Sequence, residues 1–180
     1  LMPGAGHMVH MPAHIYYRVG QYRRSLEVNK RAVAVDESYF KTSPSDPMYK
    51  SAYYPHNIHF VMVSAQMGGD GKTATQAAAK LDAAMAPEVV REFAIMQPVK
   101  AAPYTTHAQF GSPEEILALP APAAGLTLVQ AMYHYARAVA HAARKDFGAA
   151  QLEIDALAAI ESGADFKPFE PWGVPAREVV

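Results

Sequence analysis

The sequence of 180 residues contains no cysteine. The chain therefore cannot form disulfides, cysteine-ligated zinc fingers, iron–sulfur clusters, thiol nucleophiles or covalently attached c-type haem. An excess of charge of one sign is also lacking, because 16 Lys and Arg stand against 17 Asp and Glu. A chain without a basic field is not expected to bind nucleic acid in general.

Charged residues make up only 18% of the chain, whereas apolar residues make up 51%. This balance argues against disorder and provides enough apolar surface for a buried core. No apolar run reaches the roughly 18 residues of a membrane span, so we expect no transmembrane segment. The sequence opens Leu1-Met2-Pro3-Gly4 without an initiator methionine, which fits a trimmed or mature piece of a longer chain.

Apolar periodicity predicts pairs of antiparallel helices. Alanine, the strongest helix former, is concentrated in 74–86 and 131–159. Apolar residues recur every three or four positions in 126–144, as they do on one face of a helix. Four helical hairpins are predicted, at about 7–39, 55–86, 100–119 and 126–161. The proline-rich segment 42–54 is predicted to be a loop, and 163–180 an irregular C-terminal tail.

Three of these hairpins align on their turns, which indicates an internal repeat. The aligned turns are Val19-Gly20-Gln21, Gly68-Gly69-Asp70 and Arg144-Lys145-Asp146. A small residue stands five positions after the second turn residue in each hairpin, as Ser25, Ala74 and Ala150. We expect the two helices of a hairpin to pack most closely at this small residue.

The first hairpin resembles a tetratricopeptide repeat in the run Tyr16-Tyr17-Arg18-Val19-Gly20-Gln21-Tyr22-Arg23-Arg24-Ser25-Leu26, followed by Ala32 and Asp36. The shared features are the turn glycine, the aromatic residue after it, the small residue and the later alanine. The interval from Gly20 to Gly69 is 49 positions, longer than the 34 of a standard repeat. The resemblance implies an all-α fold, with residues 1–162 forming one domain of helix hairpins stacked as a right-handed solenoid. Such a stack presents a concave groove that binds a peptide, a protein or a small ligand.

Two further segments, 10–15 and 54–60, resemble one group of longer bacterial proteins that contain this repeat. Members of that group have additional repeats upstream, and many are exported. The resemblance therefore implies repeats that precede this sequence. It favours a periplasmic or secreted protein, although a cytoplasmic location is also compatible with the sequence.

Five of the eight histidines fall in two short segments, His7, His10 and His14 in the first and His56 and His59 in the second. Each segment holds a His-x-x-His pair that begins 13 positions before the turn glycine of its own hairpin. Residues three or four apart share one helix face, and the resemblance places the first helix of each repeat on the concave groove. Because imidazole is the commonest ligand of transition metals, the sequence predicts a site for zinc or copper.

The same histidines also fit a groove that binds its ligand by hydrogen bonds, without a metal. Pro12 is expected to interrupt the first helix, which could leave His7 and His10 on an extended segment. Met8 and Met11 offer soft thioethers that favour Cu(I), but on a helix they point away from the histidines and fit core positions better. His107, His134 and His141 fit structural roles.

Three functions remain open at this point. A binding scaffold would use its histidines together with Tyr17, Arg18 and Gln66 to contact a ligand in the groove. A metal-dependent enzyme would need a general base from outside the histidine segments, such as Asp70, Glu88 or Glu92. The segment 68–73 resembles a phosphate-binding loop, but Gln66 stands where that loop requires its first glycine.

Overall fold

The computed structural model describes residues 5–42 and 46–163, and within these ranges the regular structure is entirely helical. The prediction of an all-α fold is confirmed at this level. Helix contacts divide the chain into two compact units, Leu1–Met85 and Ala86–Val180. Apart from Gly163, the predicted C-terminal tail lies outside the described residues. None of the described helices is both long enough and apolar enough to cross a bilayer.

The first unit contains α1 (Gly6–His10), α2 (Pro12–Arg18), α3 (Tyr22–Thr42), α4 (Tyr54–Met67) and α5 (Gly71–Ala84). Helices α1 and α2 run antiparallel to α3. Near the turn, the Ser25 hydroxyl donates to the Ala13 carbonyl, and at the far end the Asp36 carboxylate accepts the Gly6 N–H. Helix α4 packs against both α3 and α5. The core of this unit lies between these helices and includes Leu26, Ile58, Met62 and Leu81.

Pro12 interrupts the first predicted helix without unwinding it. Since Pro12 has no N–H to donate to the Met8 carbonyl, α1 ends at His10 and α2 begins at Pro12, while Met11 between them keeps a helical backbone. His7 and His10 therefore lie on a helix and not on an extended segment.

Three hairpin turns share one backbone conformation, in agreement with their sequence alignment. The second turn residue has a positive φ in each: Gly20 at 76°, Gly69 at 75° and Lys145 at 60°. Its N–H bonds three positions back and the next N–H bonds five positions back, at 2.8–3.2 Å, which is the Schellman arrangement. The small residues five positions later are all buried: Ser25, Ala74 and Ala150.

The segment 42–54 was expected to be a loop, but residues 47–54 are helical. A π-helical turn, Tyr49–Tyr53, follows Asp46 and continues directly into α4. The Asp46 carboxylate accepts the backbone N–H of Met48 at 2.9 Å, and this bond stabilises the start of the turn. The expectation failed because this capping and the tyrosine contacts outweigh the prolines that stand earlier in the segment.

The second unit contains α6 (Pro87–Glu92), a 3-10 turn (Ala94–Met96), α7 (Gln97–Phe110), α8 (Pro113–Leu117), α9 (Thr127–Ala143) and α10 (Phe147–Ser162). Pro98 lies in the first turn of α7, where a missing N–H costs no helical hydrogen bond. A capping box of Ser112 and Glu115 begins α8. Helices α9 and α10 form the hairpin predicted at 126–161.

Candidate metal centre

Four of the five predicted histidine ligands lie together in the first unit. His7 and His10 come from α1, His14 from α2 and His56 from α4, and we call them the histidine cluster. The distances between their ring centroids are 4.6 Å (His10–His14), 4.7 Å (His10–His56), 5.4 Å (His7–His10), 5.6 Å (His14–His56) and 5.7 Å (His7–His56). Rings bound tetrahedrally to one metal ion have centres about 5 Å apart, given metal–nitrogen bonds of about 2.0–2.1 Å.

His10 stands at the centre of the cluster. Its Nε2 atom lies 2.8 Å from the Nε2 of His14 and 3.0 Å from the Nε2 of His56. One nitrogen from each of His7, His10 and His56 lies within 4.8 Å of the other two. Two nitrogens of a tetrahedral zinc site are about 3.3 Å apart, so the distances from His10 Nε2 to His14 and His56 are close to the spacing that an ion requires.

Asn29 of α3 fixes the orientation of His10. The Asn29 side-chain nitrogen donates to the Ser25 carbonyl at 2.8 Å, so its oxygen points towards His10 Nδ1, 2.5 Å away. The oxygen can only accept, which assigns the proton of neutral His10 to Nδ1 and the lone pair to Nε2. An acceptor behind a histidine is the usual outer partner of a metal ligand.

The lone pair on His10 Nε2 is approached by two other imidazole nitrogens. A single lone pair forms one strong hydrogen bond with one N–H donor, so the second close nitrogen gains no comparable bond. In addition, the Nδ1 atom of His7 is buried and has no hydrogen-bond partner. A cation among these nitrogens would provide a partner for all of the facing lone pairs.

Burial favours the neutral form of three cluster histidines, His10, His14 and His56. Burial, followed in order of size by the neighbouring charges of His10, His14, His7 and His59, lowers the pKa of His56 to about 3. Burial also lowers the pKa of His10 to about 4, with the Asn29 hydrogen bond acting in the opposite direction. The pKa of His14 is lowered, first by burial and then by His7. Neutral imidazole is the form that binds metal, so the site is ready to bind at neutral pH.

Aromatic rings form a wall against the cluster. The Phe60 ring lies 4.5 Å from His14, 4.7 Å from His10 and 5.0 Å from His56, measured between centroids. The Tyr53 ring lies 4.5 Å from His7. These rings exclude water from part of the cluster and strengthen electrostatic interactions within it.

A buried network around Asp36 holds α1 in place. Tyr49 donates its hydroxyl to one oxygen of Asp36 at 2.7 Å, and Asn57 donates to the other at 2.8 Å. The Tyr49 oxygen accepts the backbone N–H of His7 at 3.0 Å. Burial raises the pKa of Asp36, against the effect of these hydrogen bonds and of one from the Gly6 N–H. Both oxygens are engaged, so Asp36 supports the cluster from outside it.

His59, the fifth predicted ligand, is not brought into the cluster. It joins no close group with the other histidines, and among the described residues no hydrogen bond or ring contact links it to them. Burial lowers the pKa of His59 to about 4. The only effect of His59 on the cluster among the described residues is electrostatic, a small lowering of the pKa of His56. The position equivalent to Asn29 in the second hairpin is Ala78, which offers no acceptor to orient an imidazole.

The predicted groove residues lie near the cluster or at the turns. Tyr17 packs against Phe60 and Tyr22, with ring centroids 6.0 and 5.3 Å away, and burial raises its pKa. Arg18 is exposed at the end of α2, and Gln66 is half-buried near the end of α4. Tyr17 therefore adjoins the aromatic wall, while the other two flank the hairpin turns.

The methionines between the histidines point away from the cluster, as expected, but they are not core residues. Met8 is 55% exposed and Met11 is 44% exposed. Packing against α3 uses the opposite side of α1, which leaves both thioethers on the surface. The structure therefore gives no support for sulfur ligands from these residues.

The glycine-rich segment 68–73 forms a helix-to-helix turn. Helix α4 precedes it where a phosphate-binding loop requires a strand. The Asp70 carboxylate accepts the Thr73 N–H at 3.0 Å and caps α5, and this hydrogen bond lowers the pKa of Asp70. The glycines are thus explained by the turn.

Sequence reasoning did not identify Asn29, Asp36, Tyr49 and Phe60 as parts of the site. Asn29 and Asp36 carry one usable signal, since polar residues stand among apolar ones on the buried face of α3. Comparison of the chain with family models, curated proteins and solved structures found no match. The function must therefore be argued from the geometry.

Proposed function

We propose that this chain is a helical-repeat scaffold that binds one divalent transition-metal ion in the histidine cluster. One observation carries the proposal. Two imidazole nitrogens, from His14 and His56, lie within 3.0 Å of the Nε2 lone pair of His10, while Asn29 holds the opposite side of the His10 ring. This is the orientation that a histidine ligand needs.

The donor set favours zinc or copper. The grouped ligand atoms are imidazole nitrogens, whereas magnesium and calcium require oxygen ligands. His7, His10 and His56 would provide three ligands, and His14, whose Nε2 lies 2.8 Å from the Nε2 of His10, would provide a fourth. An ion bound in this way connects α1 and α2 to α4, so we expect binding to stabilise the first unit.

The arrangement supports binding better than hydrolysis. A hydrolytic metal site needs a base close to the metal-bound water. Asp36 interacts electrostatically with His7, but both of its oxygens already accept hydrogen bonds. A metal-dependent enzyme therefore remains the weaker alternative.

The scaffold part of the proposal depends on the repeat. Three turns with the same positive φ and the same paired hydrogen bonds support stacked hairpins of the tetratricopeptide type. In that architecture Tyr17, beside the Phe60 wall, would contact a peptide, protein or small ligand that lies in the groove. The metal would then shape one part of the binding surface.

The test is the metal content of the full chain, purified without a histidine tag and incubated with zinc. We expect one zinc ion per chain by elemental analysis, and a melting temperature that rises with zinc concentration. The variant with His14→Asn and His56→Asn should bind less than a tenth as much zinc. The variant His141→Asn, which alters a histidine of the second unit, is the matched control and should bind one ion.

Circular dichroism establishes whether the double variant keeps its helices. If it does not, the zinc-dependent rise in the melting temperature of the unaltered chain provides the result. The proposal is wrong if the unaltered chain binds no zinc, copper or nickel, or if the folded double variant binds as much as the control.

A further inference from the structure

An apolar stripe runs along the outer side of α1 and α2. It consists of Met8, Met11, Ile15 and Val19, which are 55%, 44%, 67% and 61% exposed. Their spacings of three, four and four positions place them on one face of the helical segment. Scattered exposed apolar side chains are ordinary, but a continuous row of large ones marks an interaction surface.

The repeat register shows which kind of surface this is. Residues 49 positions later in α4 occupy equivalent places in the second hairpin. Asn57 corresponds to Met8, and its side chain donates to Asp36 of α3 at 2.8 Å. Ser64 corresponds to Ile15, and its hydroxyl lies 2.8 Å from the Ser25 hydroxyl of α3.

The end of the stripe follows the same rule. Gly68 corresponds to Val19, and a Cβ placed on Gly68 would lie 3.9 Å from the Cβ of Tyr22 in α3. Three of the four stripe positions therefore match the α4 positions that approach α3. Asn57 and Ser64 are fully buried by that contact, whereas Met8 and Ile15 are exposed.

We infer that the stripe binds the second helix of a further hairpin of this repeat, in the way that α4 binds α3. The stripe is apolar where α4 has Asn57 and Ser64, so the docking helix must be apolar where α3 has Asp36 and Ser25. This inference rests on the helical repeat that we propose as the scaffold. It does not depend on metal binding by the histidine cluster.

The size of the stripe favours a hairpin over a second copy of this chain. A stable dimer buries about 800 Å² on each partner, and four side chains along a few helical turns fall short of this area. A hairpin connected through the backbone needs less area, because the connection raises its effective concentration.

The test uses a single thiol, since the chain contains no cysteine. The variant Ile15→Cys places a thiol on the stripe, and Glu27→Cys places one on the exposed side of α3. Each variant is also made in an extended chain, with an additional copy of residues 1–49 attached before Leu1. In the additional copy only, Ser25→Ala and Asp36→Leu provide the required apolar face.

We expect the thiol at position 15 to react with a maleimide at least ten-fold more slowly in the extended chain than in the original. The thiol at position 27 of the original copy should react at the same rate in both. As a matched control, Ser25→Arg and Asp36→Arg in the additional copy should restore fast reaction at position 15.

Three results would overturn the inference. The first is an unchanged rate at position 15 in the extended chain, whether or not the additional hairpin folds. The second is equal protection with the arginine-bearing copy. The third is protection in the original chain that increases with protein concentration, which would identify a second copy as the occupant. Zinc binding in the original chain is independent of all three results.

Discussion

The hydrogen bond from His10 to Asn29 provides the sharpest prediction about the site. The substitution Asn29→Leu keeps the branched shape of the side chain but removes the acceptor that lies 2.5 Å from His10 Nδ1. The ring then loses the partner that fixes both its orientation and its tautomer. Loss of such an outer partner weakens metal binding about 10- to 100-fold, which corresponds to about 1.4–2.7 kcal/mol.

The same substitution also affects the metal-free protein. It leaves a buried Nδ1–H without an acceptor, at a cost of about 1–3 kcal/mol in the free energy of unfolding. Two quantities are therefore measured. The zinc dissociation constant comes from calorimetric titration against a competing chelator, and the free energy of unfolding comes from urea denaturation without metal.

Two further variants separate positioning from general damage to the fold. Asn29→Asp keeps an acceptor for the His10 N–H, so it should bind zinc at least ten-fold more tightly than Asn29→Leu. Glu27→Gln alters an exposed neighbour on α3 and should change neither quantity. If folded Asn29→Leu binds zinc within two-fold of the unaltered chain, Asn29 does not position His10 and the reasoning is refuted.

Three further predictions concern stability. The pKa values of His10 and His56 are lowered in the folded chain, so the unfolded chain binds more protons below pH 6.5. Without metal, the free energy of unfolding should therefore fall as the pH drops from 6.5 to 4, by about 1.4 kcal/mol per pH unit for each additional proton that the unfolded chain binds. Urea denaturation at pH 7 and pH 5 measures this change, and equal free energies at the two pH values contradict the prediction. Gly6→Ala should destabilise the chain by about 1–3 kcal/mol in urea denaturation, because its Cβ would lie 1.9 Å from an Asp36 oxygen, whereas Gly148→Ala meets nothing closer than 4.0 Å and should not destabilise it. Lys145→Gly should raise the melting temperature. Lysine at a φ of 60° is strained by about 1 kcal/mol or more, whereas glycine adopts this conformation without strain. An unchanged or lower melting temperature contradicts this prediction.

The alignment correctly predicted that three hairpin turns are equivalent, because the turn has a local cause. A positive φ, a pair of hydrogen bonds and a small residue five positions later all depend on residues close in sequence. The helical turn at Tyr49–Tyr53 was not predicted, because it is stabilised by tertiary contacts such as that between Tyr49 and Asp36.

The candidate site was predictable only in part. The equivalent positions of the two His-x-x-His pairs correctly indicated that α1 and α4 bring imidazoles together. The register could not distinguish His10 from His59, because the difference lies in the second helix of each hairpin. There Asn29 offers an acceptor, while Ala78 does not. Phe60 and Tyr53 carry no signal in the sequence that separates them from ordinary core aromatics.

X-ray absorption spectroscopy of the zinc-loaded full chain tests the central claim most directly. The account predicts three or four imidazole nitrogens at about 2.0–2.1 Å from the metal, with no sulfur near 2.3 Å. The substitution His10→Asn should reduce the imidazole contribution or abolish loading. A metal surrounded mainly by oxygen ligands, or a spectrum that His10→Asn leaves unchanged in a folded, loaded chain, would contradict a metal centre built around His10.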